Sequence, residues 1–594
     1  MCGIAGQLQF DHSRLHPLAA MERASTAQAS RGPDSAGIYQ HGAISLAHRR
    51  LKIFDLTEQA AQPMIDHQLG LALVFNGAIY NYIELREELK QKGYRFVSDG
   101  DTEVLLKAYH AWGEAAIPRL RGMFAFAIWE RDSDRLIISR DRMGIKPLYY
   151  AATADGFRFA STLPALLEFS GIDTSIDKEA LHYYLTFHAV PEPLTLLRGI
   201  RKLMPGSIMI VTAEGQISQK RYWQLRIDER ATDHGRSEKD WLEATREALM
   251  LAIDRQLAAD VPIGVLLSGG LDSSLLVALA AQIHGQKIET FSIGFESSHG
   301  ELGDEFYYSD RVAKQFHTQH HQLFIPNTRL TEALGACVAA MSEPMISHDN
   351  IGFYLLSQEV AKHVKVVLSG QGADELFAGY RWFQTMPQQA STPEESAARI
   401  HATVADRSYA EYAALVTPAF RTDNMSMEFL AELCRENGAT SPLDHLIAYE
   451  SGFALANGPL ERVDNMTMAA SLEARVPFLD EAVVDVAASM PMRYKLPNGG
   501  KAILKSLALQ YLPDDLVNRE KGYFPVPALT KLTGSAMDLM YEVLTPHAIR
   551  DRGLFNPEAI NSLLTQSADQ RTPTGASKLW QVGLLEYWLK QQGL

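Results

Sequence analysis

A strand, a glycine-rich turn and a helix follow one another directly near the middle of this chain, and they restrict its architecture sharply. Ile263–Leu267 has the pattern of a short buried strand, Ser268–Ser273 of a turn, and Leu275–Ile283 of an apolar helix. The alternation continues, and a later apolar strand, Val364–Leu368, leads into a second glycine-rich turn. Strands that alternate with helices predict a parallel α/β sheet, whose ligands lie at the carboxyl ends of the strands.

The first part of the chain has a different character. Residues 2–160 contain short, mostly apolar runs broken by Gly, Pro and Asp, which predict stacked and largely buried sheets. The clearest runs are Gly3–Gly6, Ala43–Ala47, Leu71–Phe75 and Phe124–Trp129. One clear helix is expected between an N-cap at Asn81 and a stop at Gly93. The polar segment 387–398 is predicted to be an exposed loop or insertion.

Length and charge limit the class of protein. A chain of 594 residues is too long for one compact core, so we expect two or more domains. The net charge of −15 argues against a general nucleic-acid or anionic-membrane surface. Three cysteines form neither a disulfide framework nor a metal-ligand spacing. Because we find no signal peptide and no apolar run of about 18 residues, we expect a cytoplasmic enzyme.

Cys2 is a candidate nucleophile. Removal of Met1 would leave Cys2 with a thiol and a free α-amino group, so that one residue holds a nucleophile beside its own general base. A cysteine at position 2 is weak support by itself, since chance can place it there. Its weight comes from the motifs that follow.

The first glycine turn, Ser268–Ser273, suits a polyphosphate. Gly269 and Gly270 let the backbone approach closely, and successive N–H groups with the helix dipole favour an anion. Asp272 would repel phosphate unless a Mg²⁺ lies between them. The turn lacks the Lys of a Walker loop, so transfer of a γ-phosphoryl group is not implied.

The second glycine turn, Ser369–Glu375, follows its strand in the same way and offers another carboxylate, Asp374. Adjacent parallel strands end at the same edge of a sheet, so Asp272 and Asp374 could share one metal. The alternative is that Asp374 is only a charge at the start of a helix.

With these motifs placed, the whole chain resembles the glutamine-dependent asparagine synthetase family. The resemblance implies an α/β protein with two domains: an αββα N-terminal-nucleophile, class II glutamine amidotransferase domain at 2–225, and a parallel-sheet ATP-pyrophosphatase domain, like the adenine nucleotide α-hydrolases, at 240–594. The matching landmarks are Cys2–Gly6, Arg31–Asp34, Ala47–Leu51, Asn76-Gly77, Gly100–Glu103, Arg140–Pro147, Ser268–Ser273, Arg462–Met466, Leu472–Asp480, Gly500–Lys505 and Lys578–Leu589.

The resemblance implies roles in glutamine hydrolysis. Cys2 is expected to attack the side-chain amide, and Asn76 and Gly77 to form the oxyanion hole. Arg50 is expected to pair with the α-carboxylate of glutamine and Asp101 with its α-ammonium. The remaining pocket residues are expected to be Leu51, Lys52, Ile53, Phe54 and Ala78.

The resemblance also implies an ATP site, a Mg²⁺ site and an acceptor site. Asp272 and Asp374 are the expected magnesium ligands, and Lys501 is expected to contact the phosphates. The other expected ATP contacts are Leu267, Ser268, Gly269, Gly270, Ser273, Ile293, Ser369 and Gly370. Acceptor-site candidates are Gln371, Glu375, Glu473 and Arg475.

The implied reaction has two halves. Glutamine gives a thioester on Cys2 and ammonia, while a carboxylate attacks the α-phosphate of ATP to give an acyl-adenylate and pyrophosphate. Ammonia then moves through a sheltered interior route and displaces AMP, which makes an amide. Cofactors are ATP and Mg²⁺, and the other partners are small molecules; a homodimer is compatible with this, and neither nucleic acid nor a membrane is expected.

Several positions depart from the family pattern. Ala78 stands where the family has a Glu that helps receive the substrate ammonium, and Gln371 stands where it has an acidic residue near the acceptor. Thr162 and Asn465 also differ from the residues that are usual in the family at these positions. Together with Ser342–Asp349 and Lys521–Pro527, these departures resemble the N-acetylglutaminylglutamine amidotransferases, which amidate a dipeptide to make a neutral osmoprotectant.

Other interpretations are less well supported by the residues. Asparagine synthetase itself, acting on aspartate, is the principal alternative. A sensor that only binds glutamine or a nucleotide, and a glutaminase without synthetase activity, would not need both Cys2 and an intact phosphate loop. His320-His321 lacks zinc-ligand spacing, and the aromatic run 380–383 suits packing better than base stacking.

Overall fold

A computed structural model of the chain describes residues 2–10, 18–227, 233, 235–284, 288–297, 303–519, 532–566, 570–573 and 575–594. The segment Lys521–Pro527, used above for the branch resemblance, lies outside the described residues. None of the described helices combines the length and the apolar character needed to cross a membrane.

The amino-terminal half contains two six-stranded antiparallel sheets. Its strands are β1 (Gly3–Gln9), β2 (Ser35–His41), β3 (Ile44–Arg50), β4 (Met64–Asp66), β5 (Leu71–Ile79), β6 (Gly122–Glu130), β7 (Arg135–Arg140), β8 (Tyr149–Thr153), β9 (Gly156–Ala160), β10 (Arg201–Lys202), β11 (Ser207–Thr212) and β12 (Ile217–Arg221). The strand orders are β10-β8-β9-β1-β3-β2 and β12-β11-β7-β6-β5-β4.

The two sheets stack face to face, and helices cover both outer faces. Because successive side chains of a strand point to opposite faces, Ile4 and Val74 lie in the core between the sheets, whereas Ala5 and Phe75 face the helices. The covering helices are Leu18–Ala27 and Leu163–Leu166 on one side, and Tyr82–Gln91 and Asp101–Trp112 on the other. This arrangement confirms the predicted αββα architecture and its stacked, buried sheets.

The carboxyl-terminal half contains a five-stranded sheet in which every pair of neighbouring strands is parallel. Its strands are β13 (Ile263–Leu266), β14 (Glu289–Phe295), β15 (Gln319–Ile325), β16 (Val366–Leu368) and β17 (Glu473–Arg475), in the order β15-β14-β13-β16-β17. The two glycine turns follow β13 and β16, which are neighbours, so both turns emerge at one edge. The predicted parallel sheet is confirmed.

Helices surround this sheet and extend beyond it. In chain order they are Lys178–Phe187 at the end of the first half, and then Glu238–Gln256, Leu271–His284, Phe306–Gln315, Asn327–Ala339, Asp349–Val360, Ala373–Leu376, Pro393–Val404, Tyr409–Leu415, Met425–Glu436, Pro442–Tyr449, Leu455–Asn457, Pro459–Met468, Glu481–Ser489, Ala502–Ala508, Asp514–Val517, Ser535–Val543, Pro546–Arg552, Pro557–Thr565 and Lys578–Gln591. The helix Pro393–Val404 overlaps the predicted 387–398 loop, so that prediction was wrong from residue 393 onwards.

The two halves dock through buried polar contacts. The Arg31 guanidinium lies 2.7 Å from an Asp464 carboxylate oxygen, and the Tyr149 hydroxyl donates to Glu461 at 2.7 Å. The amino ends of β16 and β17 therefore lie against the first half, at the sheet edge opposite the glycine turns.

Candidate active sites

Cys2 lies at the start of β1 with its thiol buried against β5. Its backbone nitrogen donates to Oδ1 of Asn76 at 3.0 Å, and its carbonyl accepts from Nε of Arg31 at 3.1 Å. Burial raises the pKa of the thiol above its ordinary value. A thiol held in its protonated form needs a base nearby, and the α-amine that processing would expose is attached to the same residue.

Asn76 fits the oxyanion role expected of it. The residue is fully buried, and its Nδ2 has no hydrogen-bond partner among the residues that the structure describes. A buried amide without a partner costs free energy unless a ligand supplies one. A Cβ on Gly77 would lie 2.2 Å from the Met123 carbonyl, so only glycine allows the two strands to approach here.

A pocket with about 370 Å³ of empty space opens beside Cys2. Its walls contain Cys2, Arg50, Leu51, Ile53, Phe54, Gln62, Phe75, Gly77, Asp101, Thr102 and Glu473. Most of the predicted glutamine contacts are thus brought together. Three are not in its walls: Asn76 is fully buried behind Cys2, Lys52 pairs with Glu58 at 2.6 Å, and the Ala78 methyl packs in an apolar cluster with Leu51 and Met123.

Arg50 and Asp101 bring opposite charges to this pocket. The Arg50 guanidinium donates to the carbonyls of Thr57 and Asp55, which fixes the loop that forms one wall. Asp101 begins the helix Asp101–Trp112, and its carboxylate accepts from the Ile79 backbone N–H at 2.9 Å. Burial, with a smaller effect of the Glu473 charge, raises the pKa of Asp101 to about 6.

Sequence reasoning missed other pocket residues. Gln62 accepts from the Phe75 N–H at 2.7 Å through its Oε1, and its Nε2 donates to the Thr102 hydroxyl at 3.4 Å. Nε2 of His48, on β3 of the other sheet, lies 3.1 Å from the Phe75 carbonyl, and burial lowers the pKa of His48 to about 3. Neutral polar groups therefore hold the strand that carries Asn76; His48 and Thr102 lie within the family landmarks but were given no role, and Gln62 lies in none of them.

The acceptor candidates Glu473 and Arg475 lie on β17, where Glu473 is at the amino end, away from the second glycine turn, and the Arg475 backbone pairs with Leu368 directly before that turn. The parallel register pairs Glu473 with Val366, at the amino ends of β17 and β16. The Arg475 side chain donates to Glu473 at 2.6 Å and to the Gln256 carbonyl at 2.7 Å. β17 has only three residues, so its two ends are close together in sequence. The motif therefore could not show which of its residues faces the glutamine pocket and which faces the second glycine turn.

The first glycine turn is held by its own side chains. Ser273 Oγ accepts from the Ser268 N–H at 3.2 Å, and Ser268 Oγ accepts from the Gly270 N–H at 3.3 Å. Gly269 has a φ of +74°, and a Cβ there would lie 2.7 Å from Cβ of Tyr308. Leu267 and Ile293 are buried beneath the turn, on β13's extension and on β14.

Asp272, Asp374 and Lys501 meet between the two turns. Lys501 Nζ lies 2.6 Å from Asp272 Oδ2 and 2.8 Å from Asp374 Oδ1. Although burial alone would lower it, the charges of the two carboxylates raise the pKa of Lys501. Lys501 adopts a left-handed backbone with φ of +55°, a conformation that a non-glycine residue keeps only when its surroundings enforce it.

These residues fit a magnesium ion. The two carboxylates already converge on one cationic group, and Mg²⁺ bound with a nucleotide takes only one or two protein carboxylates beside phosphate oxygens and water. Among the described residues no group of three or more His, Cys, Asp or Glu is arranged to hold a metal by itself.

The second glycine turn touches the first. A Cβ on Gly370 would lie 3.1 Å from Cβ of Asp272, and the Ser369 N–H donates to the Arg475 carbonyl at 2.8 Å. Gln371 follows, half-buried, before Gly372 with φ of +91°. Gln371 thus lies in the chain between Gly370, which approaches Asp272, and Asp374.

Two buried carboxylates lie behind this turn. Glu375 accepts from the Tyr380 hydroxyl at 2.7 Å, and Glu450 accepts from Nε1 of Trp382 at 2.9 Å. Burial, with the nearby charge of Glu375, raises the pKa of Glu450 to about 8, and burial together with the charge of Asp374 raises that of Glu375. Both lie beside the stacked rings of Tyr380 and Trp382, whose centroids are 4.5 Å apart.

Arg519 is a further cation near the phosphate turn that sequence reasoning missed. Its guanidinium carbon lies 4.2 Å from the Tyr308 ring centroid, and Nη1 lies 2.7 Å from Glu305. Its Nη2 is 4.0 Å from where a Cβ on Gly270 would be. An arginine this close to a phosphate-type turn suits an anion.

Comparisons with known proteins agree with this geometry. Residues 244–590 match the family described as Asparagine synthase, and residues 1–223 match the Glutamine amidotransferase domain. Glutamine-hydrolyzing asparagine synthetase 1 of Bacillus subtilis (strain 168) is 32% identical over 99% of this chain and 96% of its own length. Glutamine-hydrolyzing asparagine synthetase 3 of the same organism is 30% identical over 88% of this chain and 87% of its own. Amidase chyE of Penicillium rubens is 26% identical over 97% of this chain and 96% of its own. The chain therefore belongs to the glutamine-hydrolysing asparagine synthetase family.

Proposed function

We propose that this protein transfers the amide nitrogen of glutamine to an ATP-activated carboxylate, and that the carboxylate is the blocked dipeptide N-acetylglutaminylglutamine. The product would be a neutral amide of the osmoprotectant type. The observation that carries the choice of acceptor is the neutral Gln371, in the turn that also holds Asp374 of the cluster with Asp272 and Lys501.

The glutaminase half follows from the pocket beside Cys2. The Cys2 α-amine takes the thiol proton, and the sulfur attacks the side-chain carbonyl of glutamine. Nδ2 of Asn76 and the backbone N–H of Gly77 donate to the oxygen as negative charge develops on it. The protonated α-amine gives this proton to the departing nitrogen, which leaves as ammonia, and water then hydrolyses the thioester to glutamate.

The synthetase half uses the two glycine turns. The backbone of Ser268–Ser273 would bind the phosphates of ATP, and Lys501 and Arg519 would neutralise charge on the departing pyrophosphate. Asp272 and Asp374 would hold Mg²⁺, which when bound neutralises phosphate charge and orients the phosphates. The acceptor carboxylate attacks the α-phosphate and forms an acyl-adenylate, which ammonia converts to the amide with loss of AMP.

The charges around the second turn support an acceptor that has no ammonium group. Aspartate would bring an α-ammonium and a second carboxylate, and a buried site must pair both. Because burial raises the pKa of Glu450 to about 8, its protonated form is favoured near neutral pH, and the pKa of Glu375 is raised as well. Gln371 adds no charge either. An acetylated dipeptide has no ammonium, so it needs no ionised partner here.

The test is pyrophosphate release by purified protein with ATP, Mg²⁺ and ammonia, comparing the blocked dipeptide with aspartate. We expect turnover with the dipeptide and little with aspartate. The Gln371→Glu variant should lower dipeptide turnover. Gln384 is exposed on a short 3-10 turn, so Gln384→Glu should leave dipeptide turnover unchanged. Turnover with aspartate alone would contradict the proposed acceptor, and silence with both would exclude both acceptors.

Asparagine synthesis from aspartate is the second candidate. The observation that favours it is the name of the two Bacillus subtilis relatives, both glutamine-hydrolyzing asparagine synthetases. The same assay separates the candidates, because the two acceptors are tested side by side.

A homodimer is a further part of the proposal. Light scattering of the purified protein should then give twice the mass of one chain. A mass of one chain at all concentrations would contradict it.

A further inference from the structure

One wall of the glutamine pocket comes from the other half of the protein. Glu473, the first residue of β17, lines the pocket together with Cys2 and Asp101. It is 1% exposed, so its carboxylate is directed into the protein interior rather than to solvent. The pocket that belongs to the amino-terminal half is therefore closed by a carboxylate of the parallel-sheet half.

Glu473 is an ionised and fixed group. Burial alone would raise the pKa of its carboxylate, but the positive charges of the chain's amino terminus, Arg475 and Lys146 lower the pKa to about 2. Arg475 holds Glu473 at 2.6 Å and in turn donates to the carbonyls of Gln256 and Ala258, each at 2.7 Å. Arg475 thus fixes the position of the Glu473 carboxylate relative to the rest of the second half.

The pocket has an excess of negative charge that a cation would relieve. Asp101 and Glu473 line the same space, and the charge of Glu473 contributes to the raised pKa of Asp101. Two carboxylates that disfavour each other's ionisation are stabilised when a cation lies between them. Glutamine carries one such cation, its α-ammonium, whereas its side-chain amide must lie at Cys2. Ala78, which follows the oxyanion pair, offers only a methyl group.

We propose that Glu473 is a glutamine-binding residue that receives the α-ammonium of glutamine together with Asp101. The donor pocket is then complete only when the two halves are docked, and the half that activates the acceptor takes part in selecting the nitrogen donor. This inference rests on the proposed use of glutamine as nitrogen donor.

The test compares glutamine with glutaramate, which is glutamine without its α-amino group, in the Glu473→Gln variant. Glutamate release gives KM for glutamine, and glutaramate is added as a competitive inhibitor. Loss of one charged hydrogen bond should raise KM about 10- to 100-fold. The inhibition constant of glutaramate should stay within about twofold of the wild-type value, since glutaramate has no ammonium group that could contact Glu473. A circular dichroism spectrum and a melting temperature like those of wild type report that the variant is folded.

The matched control is Glu461→Gln. Glu461 is also a buried carboxylate at the interface, bonded to Tyr149 at 2.7 Å, but it does not line the glutamine pocket. If Glu473 mattered only for docking of the two halves, both variants would weaken glutamine and glutaramate alike. That result would overturn the proposal.

Two other outcomes also decide the matter. An altered pH profile of kcat with unchanged selectivity would mean that Glu473 acts on the Cys2 amine, and would overturn its role toward glutamine. If Glu473→Gln does not fold, Glu473→Asp replaces it; this variant keeps the charge but shortens the side chain, so glutamine must weaken more than glutaramate, and equal weakening overturns the proposal. If the wild-type protein hydrolyses no glutamine, the proposed function is wrong as well. If the wild type hydrolyses glutamine and the Glu473 variant is unaffected, only this inference is wrong.

Discussion

At the scale of single residues, Cys2 combines a reactive group with surroundings that suppress its reactivity. Burial raises the pKa of the thiol, so little thiolate forms spontaneously in the pocket. The thiol is therefore protected until a base takes its proton. Asn76 fixes the Cys2 nitrogen at 3.0 Å through Oδ1, and its Nδ2, which has no partner among the described residues, is the donor that we propose for the developing oxyanion.

Cys2→Ala should abolish glutamine-dependent synthesis and leave ammonia-dependent synthesis within about twofold of wild type. The nucleophile belongs only to the amide-hydrolysing half, and the methyl group of alanine fits the same buried space. Product formation is measured with each nitrogen donor in turn. Cys434→Ala, a buried cysteine far from both sites in sequence, is the control and should keep both activities. Equal loss with both donors would contradict two separate sites.

Glutamine affinity should fall in acid because Asp101 loses its charge. The pKa of this carboxyl is about 6, so it is ionised above that pH and neutral below it. Only the ionised form attracts the α-ammonium, so the Kd for glutamine should rise about tenfold per pH unit below 6. Calorimetry on Cys2→Ala, which cannot turn glutamine over, measures this directly. Asp101→Asn should bind weakly at every pH, and an unchanged pH dependence in that variant would exclude Asp101 as the titrating group.

Motifs identified residues whose chemistry is local, and missed those whose role depends on three-dimensional position. Cys2, Asp272 and Lys501 were predicted because their residue types and turn contexts already indicate nucleophile or phosphate chemistry. Gln62 and Arg519 carry no such context, since one is placed by strand pairing and the other by a ring it stacks on. Glu473 was predicted as a site residue, but the sequence associated it with the acceptor rather than with glutamine.

At the scale of elements, two glycine turns on neighbouring strands bring distant segments together. β13 and β16 are paired in register from Ile263 and Val366, so their turns leave the sheet side by side. This pairing brings Asp272 and Asp374 to one lysine although they are far apart in sequence. The turns need glycine because neighbouring elements occupy the space of a side chain.

Gly269→Ala should reduce pyrophosphate release at least about tenfold and leave glutaminase activity intact. A left-handed alanine costs about 1–2 kcal/mol, and its Cβ would also lie 2.7 Å from Tyr308, so the turn must shift. Gly93→Ala is the matched control, since Gly93 has a φ of +93° but nothing within 4 Å of its Cβ position. It should show a similar loss of stability in thermal unfolding with normal pyrophosphate release. Equal activity of both variants would contradict a phosphate role for the turn.

Local patterns predicted elements well where periodicity was strong and poorly where polar residues dominated. The helix after Asn81 was predicted and is found at Tyr82–Gln91, but the Asn81 side chain bonds Arg119 and Arg121 instead of capping it. The 387–398 segment looked like a loop because it is rich in Pro, Gln, Ser and Glu. In the structure Thr392 and Glu395 form a capping box, so the same polar residues start a helix.

At the scale of the whole molecule, buried charges rather than a purely apolar seam join the two halves. Lys202 binds Glu343 within salt-bridge distance, and Arg31 and Lys146 both face Asp464. Such groups are costly to desolvate, so they stabilise docking only in the correct register. Sequence could not predict this network, because its members are hundreds of residues apart and belong to no common motif.

Asp464→Asn should loosen docking and disconnect glutamine hydrolysis from synthesis. The Arg31 and Lys146 nitrogens lie 2.7 and 3.5 Å from Asp464 oxygens, and neutralising the carboxylate leaves two buried cations without compensation, a loss of about 3–5 kcal/mol. Arg31 also donates to the Cys2 carbonyl at 3.1 Å, so the disturbance reaches the nucleophile. Thermal unfolding should shift down, and more glutamate should be released per amide made. Glu542→Gln removes an exposed pair with Lys590 and should cost less than about 1 kcal/mol with no change in that ratio. A wild-type ratio in Asp464→Asn would show that this ion network stabilises the protein without coupling its two reactions.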